Sequence, residues 1–267
     1  MPMTYHPFER LEAPRPTRWL LTCDHAANTV PPFVNGGDLG LPASDMSRHI
    51  AYDVGAAGVT RRLATALGAH AVLSNFSRLV IDPNRGEDDP TLLMKLYDGS
   101  IIPANRHAGP EDLSARKTAC YDPYHQAVED LANRQDDPVI VSIHSFTRQL
   151  RGRAPRPWQI GILYAEDDRL AGEFIGQLRN DRPLAELIRS ACGEPLCVGA
   201  NEPYPGYLPG DAIDRHATAH GRMNVLIEIR NDLIQHEDGQ RAWASLLAPL
   251  LERALAAAQM KENEETD

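Results

Sequence analysis

LLTCDHAANTVP, residues 20–31, sets a short apolar run against an aspartate and a histidine and then passes at once into small, turn-prone residues. An apolar run of this length, bounded by turn signals, reads as a buried strand. Asp24 and His25 then fall where that strand ends. In an open α/β sheet the carboxyl ends of the strands are where ligands bind, so two groups that resist burial are well placed there.

Outward from this stretch, strand and helix signals alternate. RWLLTC (18–23), HAVLSNF (70–76), RLVID (78–82), PVIVSIHS (138–145), QIGILYA (159–165) and NVLIEIRND (224–232) read as strands. ASDMSRHIAYDVGAAGVTRRLATALGA (43–69) opens with a Ser/Asp cap region and carries apolar residues at helical spacing, which predicts one long helix. Further helices are expected in YHQAVEDLANR, entered through Asp122 and Pro123, in DRLAGEFIGQLRN, PLAELIRSAC and RAWASLLAPLLERALAAAQ. This alternation predicts a three-layer α/β/α domain with a central, mainly parallel sheet.

Composition sets the bounds. The chain has 267 residues, 42% hydrophobic and 24% charged, enough for a sizeable core in a single domain over 1–267, with the charged tail from about 260 expected to fray. A net charge of -10 and scattered arginines argue against nucleic-acid binding. No run approaches the eighteen apolar residues of a membrane span, and MPMTYHPFERLEAPRP lacks the regions of a signal peptide, so a cytoplasmic protein without a membrane partner is expected. Cys23, Cys120, Cys192 and Cys197 match neither a zinc knuckle nor a redox pair and read as reduced packing thiols.

His144 after VIVSI and Glu228 within VLIEIRND repeat the strand-end pattern of His25. Two histidines and a carboxylate are a usual ligand set for a catalytic zinc that leaves one position open to water. Iron, cobalt or manganese suit the same donors. Asp53 is preferred over Asp24 as the third ligand: it is read as lying early in the helix, four residues from His49 and on its face, while Asp24 should point away from His25. His49 is then a supporting or substrate-contacting group. SRLVIDPNRGEDDP crowds Arg78, Asp82, Asn84 and Arg85 around a turn, and the Asn-Arg pair offers donors suited to a small carboxylate. Asp-Pro-Asn is also simply good turn chemistry.

CDHAANTVP, RHIAYDVGA, SRLVIDPNR, YDPYHQAV, SIHSFTR, PWQIGILY and IEIRNDLI, in order from Cys23 to Ile234, resemble the N-formylglutamate amidohydrolase family. The resemblance implies a fold similar to zinc carboxypeptidases and aspartoacylases, and hydrolysis of the amide bond of a small anionic N-acyl amino acid, N-formyl-L-glutamate giving formate and L-glutamate. It implies His25 and His144 as metal ligands with Asp53 matching the family's aspartate, and Glu228 as the carboxylate that activates water and then protonates the leaving nitrogen. Asn84 and Arg85 resemble a pair that holds the substrate carboxylate, with Arg78 as a second cation facing the developing oxyanion. Arg230 is assigned to substrate binding; two residues from Glu228 on a strand, it shares that residue's face and can pair with it.

Where many relatives would carry histidine, this chain has Gln159. QLRGRAPR brings Arg151, Arg153 and Arg156 into a Gly- and Pro-containing loop, either a basic lid or merely a solvated loop. His216, His220 and Asp214 in DRHATAHG are secondary candidates. The alternatives are a deacylase or cell-wall amidase of the same fold, and a non-catalytic metal or carboxylate binder.

Overall fold

The strand that ends just before Asp24, β2 (Trp19–Cys23), is buried along its whole length because it lies between two parallel neighbours, β3 (His70–Ser74) and β6 (Val139–Phe146). A strand covered on both faces has no polar side to show, hence its unbroken apolar run. The computed structural model describes residues 5–266. In it β2 belongs to a seven-stranded mixed sheet completed by β1 (Phe8–Leu11), β7 (Ile160–Leu163), β8 (Val198–Ala200) and β9 (Asn224–Arg230). The order is β1-β3-β2-β6-β9-β7-β8, antiparallel at β1–β3 and β7–β9 and parallel elsewhere. A two-stranded ribbon, β4 (Leu96–Tyr97) with β5 (Ser100–Ile101), stands apart.

Helices cover both faces, as the alternation predicts. α2 (Ala56–Leu67), α5 (Arg169–Asn180) and α8 (Glu237–Thr266) pack their apolar stripes on one face around Leu21, Val141, Ile227 and Trp243. α4 (Asp122–Ala132) closes the other with Leu20, Val72, Tyr124 and Ile140. The remaining helices are α1 (Ala43–Met46), α3 (Pro110–Arg116), α6 (Arg182–Cys192) and α7 (Ala212–His216).

The structure corrects three local expectations. The long helix over 43–69 is interrupted: α1 ends at Met46, α2 begins at Ala56, and Asp53 and His49 lie between them outside any helix. The break sits at Gly55, whose φ of 84° is left-handed and whose Cβ, if present, would lie 2.1 Å from the Ile234 carbonyl oxygen. RLVID is not a strand but a series of buried turns. Ser77 Oγ accepts from the Leu79 N–H and donates to the Ala51 carbonyl, while Asp82 Oδ1 accepts from the Asn84 N–H, so side chains take over the bonds a ladder would supply. At the C-terminal end α8 runs to Thr266, and Arg169 pairs with Glu262. β1 and β8 are additional short edge strands that carry no strong periodicity.

Candidate active site

The ends of β2 and β6 and the non-helical segment before α2 converge on one point. His25 and His144 each turn Nδ1 toward the same oxygen of Asp53, Oδ2, at 3.4 and 2.9 Å. Asp53 is held there by its own N–H, which donates to the His25 carbonyl, and by the Ser145 N–H, which donates to Oδ2 at 3.1 Å. The break in the predicted helix is therefore what delivers this carboxylate: its backbone bonds to the strand end, not to a helical turn.

The second nitrogen of each ring is also held by a carboxylate. His25 Nε2 lies 2.7 Å from Asp82 Oδ1, and His144 Nε2 lies 3.0 Å from Asp24 Oδ2. Asp24 thus serves His144, on the adjacent strand β6, and not its sequence neighbour His25. Ser142 and Tyr124 donate hydroxyl hydrogens to Asp24. Burial raises the pKa of Asp24, but hydrogen bonds from His144 and Tyr124 and the nearby rings pull it down to about 2. Asp53 and Asp82 are likewise buried yet held below the usual carboxylate range, Asp53 by both histidines and Asp82 chiefly by Arg78. Burial favours a neutral His144, but Asp24 and Asp53 raise its pKa well above the ordinary value.

His25, Asp53 and His144 offer three ligand atoms within 4.8 Å of one another, all buried. With an acceptor carboxylate on each Nε2, both rings direct Nδ1 at a common centre, where a metal would replace the Nδ1 proton and leave the tautomer it requires. Three buried carboxylates around two rings leave an excess of negative charge that a divalent cation would balance. The donor set fits a metal of the zinc type.

Beside the cluster opens a cavity of about 260 Å³, lined also by Arg78, Asn84, Arg85, Tyr97, Tyr204, Asp211 and Glu228. Glu228 and His144 are register partners on β9 and β6, which brings them to the same sheet end. Glu228 is 7% exposed, and its Oε2 has no hydrogen-bond partner among the described residues. Burial pushes its pKa up to about 7, with Asp53 adding to the rise and His144, His25 and Arg78 opposing it. Arg78 donates through Nε and Nη2 to Asp82, at 3.2 and 2.7 Å, and its Nη1 stands 3.6 Å from Asp53. Asn84 Oδ1 accepts from the Ala212 N–H, and Arg85 donates to Thr91 Oγ1 and the Asn84 carbonyl.

Two predicted residues are not brought in. Arg230 is fully buried but pairs with Glu194 and Asp232, not with Glu228, and does not line the cavity. Glu194 comes from the connection before β8 and Asp232 from the turn after β9. His49 does not share a helical face with Asp53; it faces Asp98 at 3.4 Å and Tyr97, lining a neighbouring cleft. Gln159 is structural, bonding the Cys197 N–H and Glu194. His216 bonds His125 and Glu129, Asp214 accepts from the Gly210 N–H, and His220 is exposed, so none of the three reaches the cluster. Of the basic loop, Arg156 lies over the rings of Phe146 and Tyr204, while Arg151 and Arg153 are exposed.

Sequence reading missed the pairing of Asp82 with His25, which hid behind its turn chemistry, and the cavity residues Tyr97, in the two-residue strand β4, and Tyr204 and Asp211, in loops, none of which carries a periodic signal. Among the described residues no helix is long and apolar enough to cross a membrane.

Fold and cluster together define a three-layer α/β protein with a candidate metal site at the carboxyl ends of the central strands. Residues 17–235 match the N-formylglutamate amidohydrolase family, and the chain belongs to it. The structure of gene product Atu2144 from Agrobacterium tumefaciens is similar, with 35% identity, a TM-score of 0.83 and coverage of 95% of this chain and 96% of that one. N-formylglutamate amidohydrolase from Ralstonia eutropha JMP134 shares the fold, at 21% identity and a TM-score of 0.57, over 97% of this chain and 99% of its own. No curated protein sequence matches significantly.

Proposed function

We propose that this protein is a metal-dependent amidohydrolase that cleaves the amide C–N bond of a small N-formyl or N-acyl amino acid, with N-formyl-L-glutamate as the reference substrate. The observation that carries this reading is the unpartnered Oε2 of buried Glu228, which lines the same cavity as the His25–Asp53–His144 cluster. A buried carboxylate with no partner is costly, and a site that retains one beside a ligand cluster has a proton to move.

His25, Asp53 and His144 would hold a divalent cation, which would supply Lewis-acid activation of the acyl oxygen and of the attacking water. Glu228, with its pKa near 7, accepts a proton from that water through Oε2 and returns it to the amide nitrogen as the C–N bond breaks. Arg78, fixed by Asp82, keeps Nη1 available to the negative charge developing on the acyl oxygen. Asn84 and Arg85 hold the substrate carboxylate and so orient the amide. Asp24 and Asp82 hold the two rings in the ligating tautomer.

The test is metal analysis of the purified protein followed by formate release from N-formyl-L-glutamate and a panel of N-acyl amino acids. One bound metal per chain with turnover is the expected result. Metal without turnover on any member would leave a binding protein, and turnover without metal would overturn the cation's role.

A further inference from the structure

The donors on the cavity wall divide into those already engaged and those left open. Ser145 Oγ donates to the Val54 carbonyl, and Arg78 is committed to Asp82 and Asp53. Asn84, whose amide oxygen accepts from the Ala212 N–H, keeps its Nδ2 hydrogens, and Arg85 keeps Nη2; in the proposed mode of binding these serve the substrate's α-carboxylate. Two phenols of the lining, Tyr97 and Tyr204, donate to no acceptor among the described residues.

Of the two, Tyr204 has the hydrogen whose direction is fixed. A phenol oxygen carries one hydrogen and can also accept. Arg156 Nη1, which can only donate, gives a hydrogen to the Tyr204 oxygen at 3.2 Å, and its guanidinium carbon lies 4.9 Å from the Tyr204 ring centroid and 5.6 Å from that of Phe146. The phenol's own hydrogen is therefore left for a different acceptor, and Tyr204 faces the cavity. Burial raises the Tyr204 pKa, Glu228 adds to the rise and Arg156 opposes it, so the phenol stays protonated at neutral pH.

Both partners are anchored. Arg156 Nη1 also donates to the Thr147 carbonyl just past β6, and the Arg156 N–H donates to the Arg148 carbonyl. Nε and Nη2 of Arg156 make no hydrogen bond, and no acid pairs with it, among the described residues. It does not itself line the cavity, so its charge acts on a ligand there through the phenol. On the Tyr204 side, Asn201 Oδ1 accepts from the Tyr164 N–H, and a Cβ on Gly206 would lie 1.9 Å from the Tyr164 carbonyl oxygen, so glycine is what lets this loop pack so closely on the end of β7.

A protonated phenol backed by a guanidinium without a counter-ion suits an anionic oxygen. With Arg78 serving the acyl oxygen and Asn84 and Arg85 the α-carboxylate, the acceptor left on an N-acyl dicarboxylic amino acid is its side-chain carboxylate. Resting on the reading of the site as an N-acyl amino acid hydrolase, we propose that Tyr204 is a specificity-determining residue whose phenol donates to that side-chain carboxylate, and that Arg156 is the positioning residue that aims the phenol's hydrogen into the cavity.

The experiment compares kcat/KM for N-formyl-L-glutamate and N-formyl-L-norvaline, in which a methyl replaces the side-chain carboxylate, with zinc-loaded enzyme at pH 7.5. Wild type should favour the glutamate compound by about tenfold or more, the value of a hydrogen bond to a charged group. Tyr204→Phe keeps the ring and should reduce that ratio by about tenfold, chiefly through KM. Arg156→Met should reduce it in the same direction, and Arg156→Lys, which still donates to the phenol, should restore part of it. Equal use of the two compounds by the wild type would overturn the proposal. So would a ratio unchanged by Tyr204→Phe: an equal loss on both compounds would mean that the phenol serves Glu228 or the reacting amide. Calorimetric binding of both compounds to zinc-loaded Glu228→Gln, with and without Tyr204→Phe, reads the same preference without turnover. If neither compound is hydrolysed the catalytic reading fails, yet tighter binding of the glutamate compound that Tyr204→Phe removes still supports the assignment. Equal binding of the two compounds, or binding of neither, overturns it.

Discussion

Asp24 precedes His25 in the chain, yet its carboxylate holds His144, with Oδ2 3.0 Å from Nε2. Asp82 holds His25 in the same way from a separate turn. If these bonds set the ligating tautomers, Asp24→Asn and Asp82→Asn should each weaken zinc binding by about 10–100-fold while leaving all three ligands in place. His25→Ala or His144→Ala should abolish stoichiometric binding. Competition against a chromophoric chelator measures both, and unchanged affinity in the two asparagine variants would deny the carboxylates this role.

Glu228→Gln should retain the metal and lower kcat by about 10²–10⁴-fold, the range for loss of a general acid–base. The same substitution has a stability signature in the metal-free protein. A carboxyl whose folded pKa is raised to about 7 contributes stability that is fully present below its unfolded value of 4.5 and is lost as the pH rises through 7. Glutamine carries no charge to bury, so the variant should gain on the wild type between pH 5 and pH 8 by on the order of 1–3 kcal/mol. Urea unfolding at the two pH values reads this, and a gain that does not change with pH would mean Glu228 is not strained by its burial.

Arg85→Met should raise KM for substrates with a free carboxylate by about 10–100-fold, the value of a charge-assisted hydrogen bond. The corresponding primary amides should be affected little. An equal loss on both would show that Arg85 supports the loop through Thr91 and Asn84 and does not bind the ligand.

Metal removal by a chelator should lower the melting temperature and abolish turnover, and zinc should restore both. At a free metal concentration of 100 times Kd, linkage stabilises the fold by about 2.7 kcal/mol, roughly 5–10 °C in a chain of this size. The effect should fade in acid, because protons compete for the same histidines and carboxylate. A melting temperature indifferent to zinc would rule out binding to the folded state.

The strands that carry His25, His144 and Glu228 were legible because burial on both faces imposes an uninterrupted apolar run and makes its polar terminus conspicuous. The conformation around Asp53 was not, because apolar spacing over 43–69 is compatible with a helix and the interruption depends on a contact between Gly55 and Ile234, far apart in sequence. RLVID looked like a strand for a related reason: Leu79, Val80 and Ile81 are fully buried, and burial without periodicity does not distinguish a strand from a packed turn. Arg230 misled because sharing a strand face with Glu228 does not decide which neighbour a long side chain reaches; Glu194 and Asp232 did.

His144 and Glu228 meet only because Ile140–Phe146 of β6 runs in register with Asn224–Arg230 of β9. Deleting or inserting one residue inside either strand would reverse which face each side chain beyond that point occupies, and would separate the ligand from the base without removing either. The connections, such as 147–159 and 201–211, are free of this constraint, and those two segments border the neighbouring cleft and the cavity. The chain can remodel what it admits by altering loops, while the spacing of its chemistry is counted out along two adjacent strands.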